Sequence, residues 1–286
     1  MTKKNNINNR AKKNDYENIL NNTKGEPRTL GLRFLFRIII ILLLTIFLIW
    51  DFYRQYTEPL DRFKPLEHWE RMEVYYSYWT TQTNYIVLVY FIWTLIQRYV
   101  LQKEINVIVL IGITTYITTT MFIFWIGVIS AENSSNYTYL DWLSTIILHL
   151  CVPVLFIIVF SLYCGVDRIF YKNYSRKWLW KFILYPTIYL ALILLRGELK
   201  LHYLPFDDLN LDGVSDDVKN ALKWARYYPY NFLDYHNGNW LKFMAGCILV
   251  TASIFGFQYL YVTISNAKFY RNYYWNFIKK NNLKNN

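Results

Sequence analysis

Long apolar runs constrain this chain more than any other feature. The first, FLFRIIIILLLTIFLIWDFY, covers Phe34 to Tyr53, and four more of spanning length follow: Tyr75 to Ile96, Ile105 to Ile129, Tyr139 to Tyr163 and Trp240 to Ile264. About 20 residues at the helical rise of about 1.5 Å cross a bilayer's hydrocarbon core, so each run can form one transmembrane helix. A sixth run, Trp178 to Leu195, carries Lys181 and Pro186. A snorkelling lysine and a proline are both tolerated in membrane helices, so this run counts as a span as well. The first run starts too far from Met1, and lacks the small-residue cleavage site, to read as a signal peptide. The expectation is an all-α membrane protein, a bundle of six transmembrane helices over residues 32–265.

The charge pattern orients that bundle. Lys and Arg should cluster on the cytoplasmic side of the span ends. They do so in the N-terminal segment, at Arg98 and Lys103, in DRIFYKNYSRKW, and at Lys268, Arg271, Lys279 and Lys280. The alternate loops, Asp51 to Val74, AENSSNYTYLD and residues 197–239, are acidic or nearly free of lysine. Both termini are therefore expected in the cytoplasm, with a disordered basic tail over residues 1–31, a basic tail over 266–286 and the protein in the cell membrane. The net charge of +11 follows from this topology, and no stacking platform accompanies the basic residues, which speaks against nucleic acid as a partner. Cys151, Cys164 and Cys247 are odd in number and lack metal-ligand spacing, so neither a disulfide framework nor zinc is indicated. Heavy use of Asn, Lys, Ile and Tyr points to an AT-rich, bacterial genome.

Polar side chains in hydrocarbon are costly unless paired, so those inside spans mark candidate sites. In the second run Thr80, Thr83, Asn84 and Val87 share one helical face. In the fourth, Asp141, Thr145, His149 and Pro153 recur every four residues and lead inward to the single span histidine. The threonines of the third run, Thr114, Thr115, Thr118, Thr119 and Thr120, read as close packing with hydroxyls bonded to the preceding turn, and Ala252 and Gly256 as a small-residue helix contact. A threonine hydroxyl is a weak nucleophile that needs a base, and imidazole is the usual one, with a third group fixing its tautomer. Thr80 with His149 would serve, oriented by Asp141 or by Asp234. Structural hydrogen bonding of the same side chains is the competing reading.

Four segments taken in order, SYWTTQTN, HLCVP, YPTIY with LLRG, and YPYNFLD, resemble the androgen-induced-gene (FAR-type) integral-membrane family and its bacterial six-span relatives. The resemblance covers the second to sixth spans. Its animal members are intramembrane hydrolases of esters of hydroxy fatty acids that use a Thr nucleophile and a His. By position these resemble Thr80 and His149, with Thr81 and Thr83 as neighbours that could take the nucleophile's place. The resemblance implies membrane lipids as partners and a lipid ester as substrate. Thr83, Asn84, Tyr228 and Tyr230 belong to the same segments as candidate substrate contacts. Arg196 could anchor a substrate carboxylate, pair with Asp234, or bind a lipid headgroup. A transporter or binding scaffold with the same polar stripe is the non-enzymatic alternative.

The acidic insertion DLNLDGVSDDVK begins as a calcium loop does, with Asp208, Asn210, Asp212 and then Gly213, but ends on Lys219 where a bidentate Glu is expected. It reads either as a calcium site or as a capped turn entering the helix SDDVKNALKWARYY. Val218, Ala221, Leu222 and Ala225 would form that helix's apolar face, lying on the membrane surface or over the site. No other cofactor is indicated.

Overall fold

The computed structural model describes residues 31–128, 137–236 and 239–284, without the side chains of 32, 33, 127, 128 and 274–284. The expected tail thus lies outside the described residues except for Gly31. Ile41–Asn286 forms one compact unit, and Met1–Ile40 is a separate one whose described part opens the first helix. Among the described residues the fold is all-helical. We label its helices α1 (Leu32–Thr57), α2 (His68–Ser77), α3 (Trp79–Leu95), α4 (Val107–Ile123), α5 (Tyr139–Tyr163), α6 (Tyr171–Tyr203), α7 (Asp216–Ala225) and α8 (Trp240–Lys284).

Five of them, α1, α4, α5, α6 and α8, are long and apolar enough to cross a membrane. The second apolar run differs from its expected form. The chain breaks at Tyr78, so Tyr75–Ser77 end α2, and α3 is a 17-residue α-helix continued by the π-helical turn Ile96–Val100. Two tyrosines satisfy the backbone groups that the break exposes. Tyr189 donates its hydroxyl to the Ser77 carbonyl at 2.8 Å, and the Tyr230 hydroxyl accepts from the Thr80 N–H at 3.3 Å.

The distribution of side chains is the reverse of a water-soluble core. Leu43, Ile46, Ile49, Val89, Ile158, Leu162, Leu192 and Ile248 face outward, whereas Thr83, Asn84, Thr114, Thr115 and Gln258 are fully enclosed. Large contiguous apolar surface of this kind suits lipid and not water. α4 is the central helix, with 72% of its apolar window buried against 17% to 39% for the other four. Its threonines pack as expected: Thr114 and Thr120 donate to the carbonyls of Leu110 and Tyr116, and Thr118 bonds the Tyr261 hydroxyl. The expected small-residue contact on α8 is not made within the chain. Ala252 and Gly256 are exposed, and the packed face carries Ile254, Gln258, Tyr261 and Val262.

Two prolines interrupt the helical ladder, and each is compensated from a neighbouring helix. A helical proline supplies no N–H to the carbonyl four residues earlier. Pro186 in α6 leaves the Phe182 carbonyl in this position, and the Tyr116 hydroxyl of α4 donates to it at 2.7 Å. Pro153 in α5 leaves the His149 carbonyl, and Trp125 Nε1 donates to it at 2.9 Å. Lys181, in the same helix, lies over the Trp178 ring with Nζ 4.4 Å from its centroid, and its side chain is exposed.

α6 runs to Tyr203, past the expected end at Leu195, because its last turns carry charges that find partners. α8 likewise continues to Lys284 with no break at residue 265. At one end of the bundle the segment from Leu60 to Ser77, the connection 204–236 and α7 build a cap. Leu222 and Ala225 of α7 pack on Phe63, Leu66 and Val74, so the apolar face of α7 is spent within the protein. Tyr227, Tyr228, Tyr230 and Leu233 pack on Trp79, Tyr189 and Phe243 at the top of the helices. Gly197 allows this approach, since a Cβ there would stand 2.2 Å from the Tyr228 ring.

Tyr116→Phe should lower stability by about 1–3 kcal/mol, the cost of an orphaned buried carbonyl. In a Pro186→Ala background, where residue 186 can donate again, the same change should cost much less. A double-mutant cycle read by thermal unfolding checks this; equal costs in both backgrounds would refute the compensation.

Candidate functional site

α3 and α5 meet α1 and the cap around a cavity of about 120 Å³. Seven of the residues singled out from the sequence line it: Thr80, Thr81, Asn84, Asp141, Thr145, His149 and Tyr230. Phe124, and Asp51 and Arg54 from α1, line it too.

The local fold around His149 explains how it reaches this cavity. A step of four residues overshoots a full α-helical turn by about 40°, so a stripe at that spacing winds off one face. α5 corrects the drift with a π-helical turn over Ile147–Cys151, centred on His149. There the Val152 N–H bonds the Ile147 carbonyl, releasing the Leu148 carbonyl, and Pro153 releases that of His149. Asn84 Nδ2 faces the first at 3.4 Å and Trp125 Nε1 donates to the second. π-Turns of this sort recur at functional sites because they re-aim a side chain.

The imidazole is held on two sides. Phe124 stacks on it with centroids 3.8 Å apart and planes 18° from parallel. Its Nδ1 lies 3.1 Å from the Thr145 carbonyl. A carbonyl can only accept, so Nδ1 carries the proton, and in the neutral ring Nε2 is the basic nitrogen. The group that sets the tautomer is thus a backbone carbonyl of the same helix, not an acid.

Neither candidate acid is placed for that task. Asp141 Oδ1 accepts from Arg54 Nη2 at 2.6 Å, and its Oδ2 accepts from the Thr138 N–H at 2.8 Å and the Thr138 hydroxyl at 2.6 Å in a capping box that starts α5. Asp234 does not line the cavity; its Oδ1 accepts from the His236 N–H at 3.1 Å. Asp51, from α1, accepts from the Ser144 hydroxyl at 2.5 Å.

Thr80 stands in the first turn of α3. Its carbonyl accepts from Asn84 Nδ2 at 2.8 Å and from the Thr83 hydroxyl at 3.1 Å. Thr83 itself turns away from the cavity and bonds Thr120 of α4 at 2.7 Å. Asn84 therefore ties the start of α3 to the π-turn of α5 with a single amide nitrogen.

The remaining sequence candidates belong to the cap. Arg196 binds Glu73 through both Nε and Nη2, the latter at 2.6 Å, and donates from Nη1 to the Tyr227 carbonyl at 2.6 Å. Lys200 reaches Glu73 at 2.8 Å and Glu70 at 3.3 Å, and Arg226 binds Glu70 at 3.0 Å. Arg196 is thereby engaged in a five-charge network that clamps α2 and the cap connection onto α6. Tyr228 donates to Glu198 at 2.8 Å, and so do Tyr235 at 2.5 Å and His236 Nε2 at 2.9 Å. In the acidic insertion Asn210 Oδ1 accepts from the Asp212 N–H at 3.1 Å, Gly213 has φ of 75°, and Asp208 closes a short 3-10 turn. The turn leads into α7 at Ser215. Among the described residues no group of three or more His, Cys, Asp or Glu side chains is placed to hold a metal ion.

Sequence reasoning passed over Asp51, Arg54, Glu70 and Glu73. Leu48, Asp51 and Arg54 recur every three residues at the end of an otherwise apolar run, which was the available signal. Glu70 and Glu73 sit in a polar segment where no periodicity marks them. Set against known protein families, curated proteins and solved structures, the chain has no match.

For Glu73, burial pushes the pKa up, but the hydrogen bonds and charge of Arg196 and the charge of Lys200 outweigh it and hold the carboxyl below its ordinary range. A group with a depressed folded pKa stabilises the fold above its unfolded value, about 4.3, and that contribution is lost as pH falls through the folded value. Acid unfolding or protease nicking of the cap should therefore begin below about pH 4.3. Glu73→Gln should flatten that part of the profile, and an unchanged acid limb would contradict the assignment.

Proposed function

We propose that this protein is an intramembrane hydrolase of lipid or fatty-acid esters, with Thr80 as nucleophile and His149 as general base. The observation that carries the reading is that Thr80 and His149 line one cavity while the Thr145 carbonyl holds His149 Nδ1 as the protonated nitrogen. In this reading Thr80 Oγ attacks the ester carbonyl and its proton passes to His149 Nε2. The same proton then goes to the departing alkoxide, leaving an acyl-threonine that a water molecule, deprotonated by His149, hydrolyses. The first turn of α3 supplies positive potential where Thr80 develops negative charge. The likeness of SYWTTQTN and HLCVP to the androgen-induced-gene (FAR-type) family supports the same assignment.

The bundle in this proposal has six spans, with α3 and its π-turn as the sixth beside the five apolar helices, and both termini face the cytoplasm of the cell membrane. The alternation of basic and acidic connections supports that topology. The cavity then lies in the outer half of the bilayer under the cap, and membrane lipids are the source of substrate.

A second reading has one specific observation in its favour. Asp51, Arg54, Arg62, Arg71 and Asp141 all line the cavity, a polar wall that also suits a transporter or binding scaffold for a small solute or lipid.

A fluorophosphonate probe separates the two. Wild-type protein in lipid nanodiscs should be labelled at Thr80, and Thr80→Ala or His149→Ala should lower labelling by about 100-fold or more. Thr81→Ala should leave labelling intact. Labelling that persists in both Thr80→Ala and His149→Ala would end the catalytic assignment, and an unlabelled wild type would favour the second reading.

A further inference from the structure

Asn84 and Arg54 line this cavity, and Asn84 Oδ1 and Arg54 Nε are among the buried polar atoms of its lining residues with no hydrogen-bond partner among the described residues. Both residues are more than nine-tenths buried. The orientation of the Asn84 amide is fixed, because the Thr80 and Leu148 carbonyls at 2.8 and 3.4 Å can only accept and so require the nitrogen. Its oxygen is then an acceptor without a donor. Arg54 is held in place by Asp141 through Nη2 and by the Trp50 ring, 5.5 Å from its centroid, which leaves the Nε proton without an acceptor. The neighbouring carboxylates are satisfied, Asp51 by Ser144 and Asp141 by Arg54 and Thr138. A buried acceptor without a donor and a buried cationic donor without an acceptor each cost free energy that a matching ligand would recover.

We propose that Asn84 and Arg54 are the ligand-reading pair of this cavity. Asn84 Oδ1 accepts from a hydroxyl of the ligand and Arg54 Nε donates to a ligand oxygen. The site thereby selects esters that keep a free hydroxyl, partial glycerides being the simplest, over fully acylated or alkylated ones. A site built to bond a hydroxyl discriminates strongly against the analogue that lacks it. The inference rests on the reading of this cavity as the lipid-ester site, but binding alone tests it.

The test uses the full chain in nanodiscs and two non-hydrolysable probes, a long-chain alkylglycerol ether with both hydroxyls free and its fully O-methylated derivative. Wild type should bind the free form at least about tenfold more tightly, the worth of one buried hydrogen bond. Equal affinity, as an ordered water satisfying both atoms would give, overturns the proposal. Asn84→Leu with an unchanged melting curve should bind both ethers alike, and discrimination surviving in it also overturns the proposal. Should Asn84→Leu not fold, the wild-type comparison decides alone. Arg54→Lys keeps the charge facing Asp141 but lacks Nε, and should weaken both ethers by a similar factor; unchanged affinity removes Arg54 from the pair. Neither ether can be turned over. Discrimination without probe labelling or ester turnover would fail only the hydrolase reading, and turnover without discrimination would fail only this one.

Discussion

The hydrogen bond from Trp125 Nε1 to the His149 carbonyl holds together the part of the structure on which the site depends. In hydrocarbon a backbone carbonyl without a donor costs several kcal/mol, since no water can replace the missing partner. Pro153 creates such a carbonyl at His149, and the π-turn creates another at Leu148. The helix can keep that irregular turn only because α4's continuation supplies Trp125 and α3 supplies Asn84. Phe124, beside Trp125, then stacks on the imidazole, so one short segment both caps the carbonyl and holds the ring. The same solution recurs at Pro186 with Tyr116, and at the α2–α3 break with Tyr189 and Tyr230. The abundance of tyrosine and tryptophan in this chain has a use beyond interfacial anchoring, because a long apolar ring with one polar atom can reach across a helix interface to a stranded backbone group.

The cap is held by a different physics. Glu70 and Glu73 pair with Arg196, Lys200 and Arg226, three cations on two carboxylates, and the backbone contacts of the two arginines reach the Tyr227, Arg226 and Pro205 carbonyls. Buried charges of this kind are weak evidence for stability, but removing one partner is expensive. Their consequence is positional. They fix the connection that carries Tyr228 and Tyr230, and Tyr230 in turn reaches the Thr80 N–H. The cap and the membrane-type helices thus share one boundary at the first turn of α3.

Much of the helical architecture was legible because apolar length acts over many residues. Five of the expected runs are helices of spanning length and composition. The face holding Thr80 and Asn84 and the stripe of Asp141, Thr145 and His149 were legible too, since both follow helical spacing. The break at Tyr78 was not, because the residues that satisfy it, Tyr189 and Tyr230, lie more than a hundred positions away. Nor were the partners of the charged groups. Arg196 offered several plausible partners from sequence, and its choice of Glu73 depends on how α2 packs. Asp141 looked available to His149, but Arg54 and the capping box occupy both its oxygens. Long-range pairing is set by tertiary geometry, which local periodicity does not carry.

The Thr145 carbonyl holds His149 with its proton on Nδ1, so that in the neutral ring Nε2 is the basic nitrogen. Nitrogen-15 NMR of histidine-labelled protein in nanodiscs, assigned by His149→Gln, reads the tautomer directly. The expected spectrum is that of the neutral Nδ1–H form. A neutral ring protonated on Nε2 would contradict it, because that tautomer cannot both donate to Thr145 and accept a proton from Thr80.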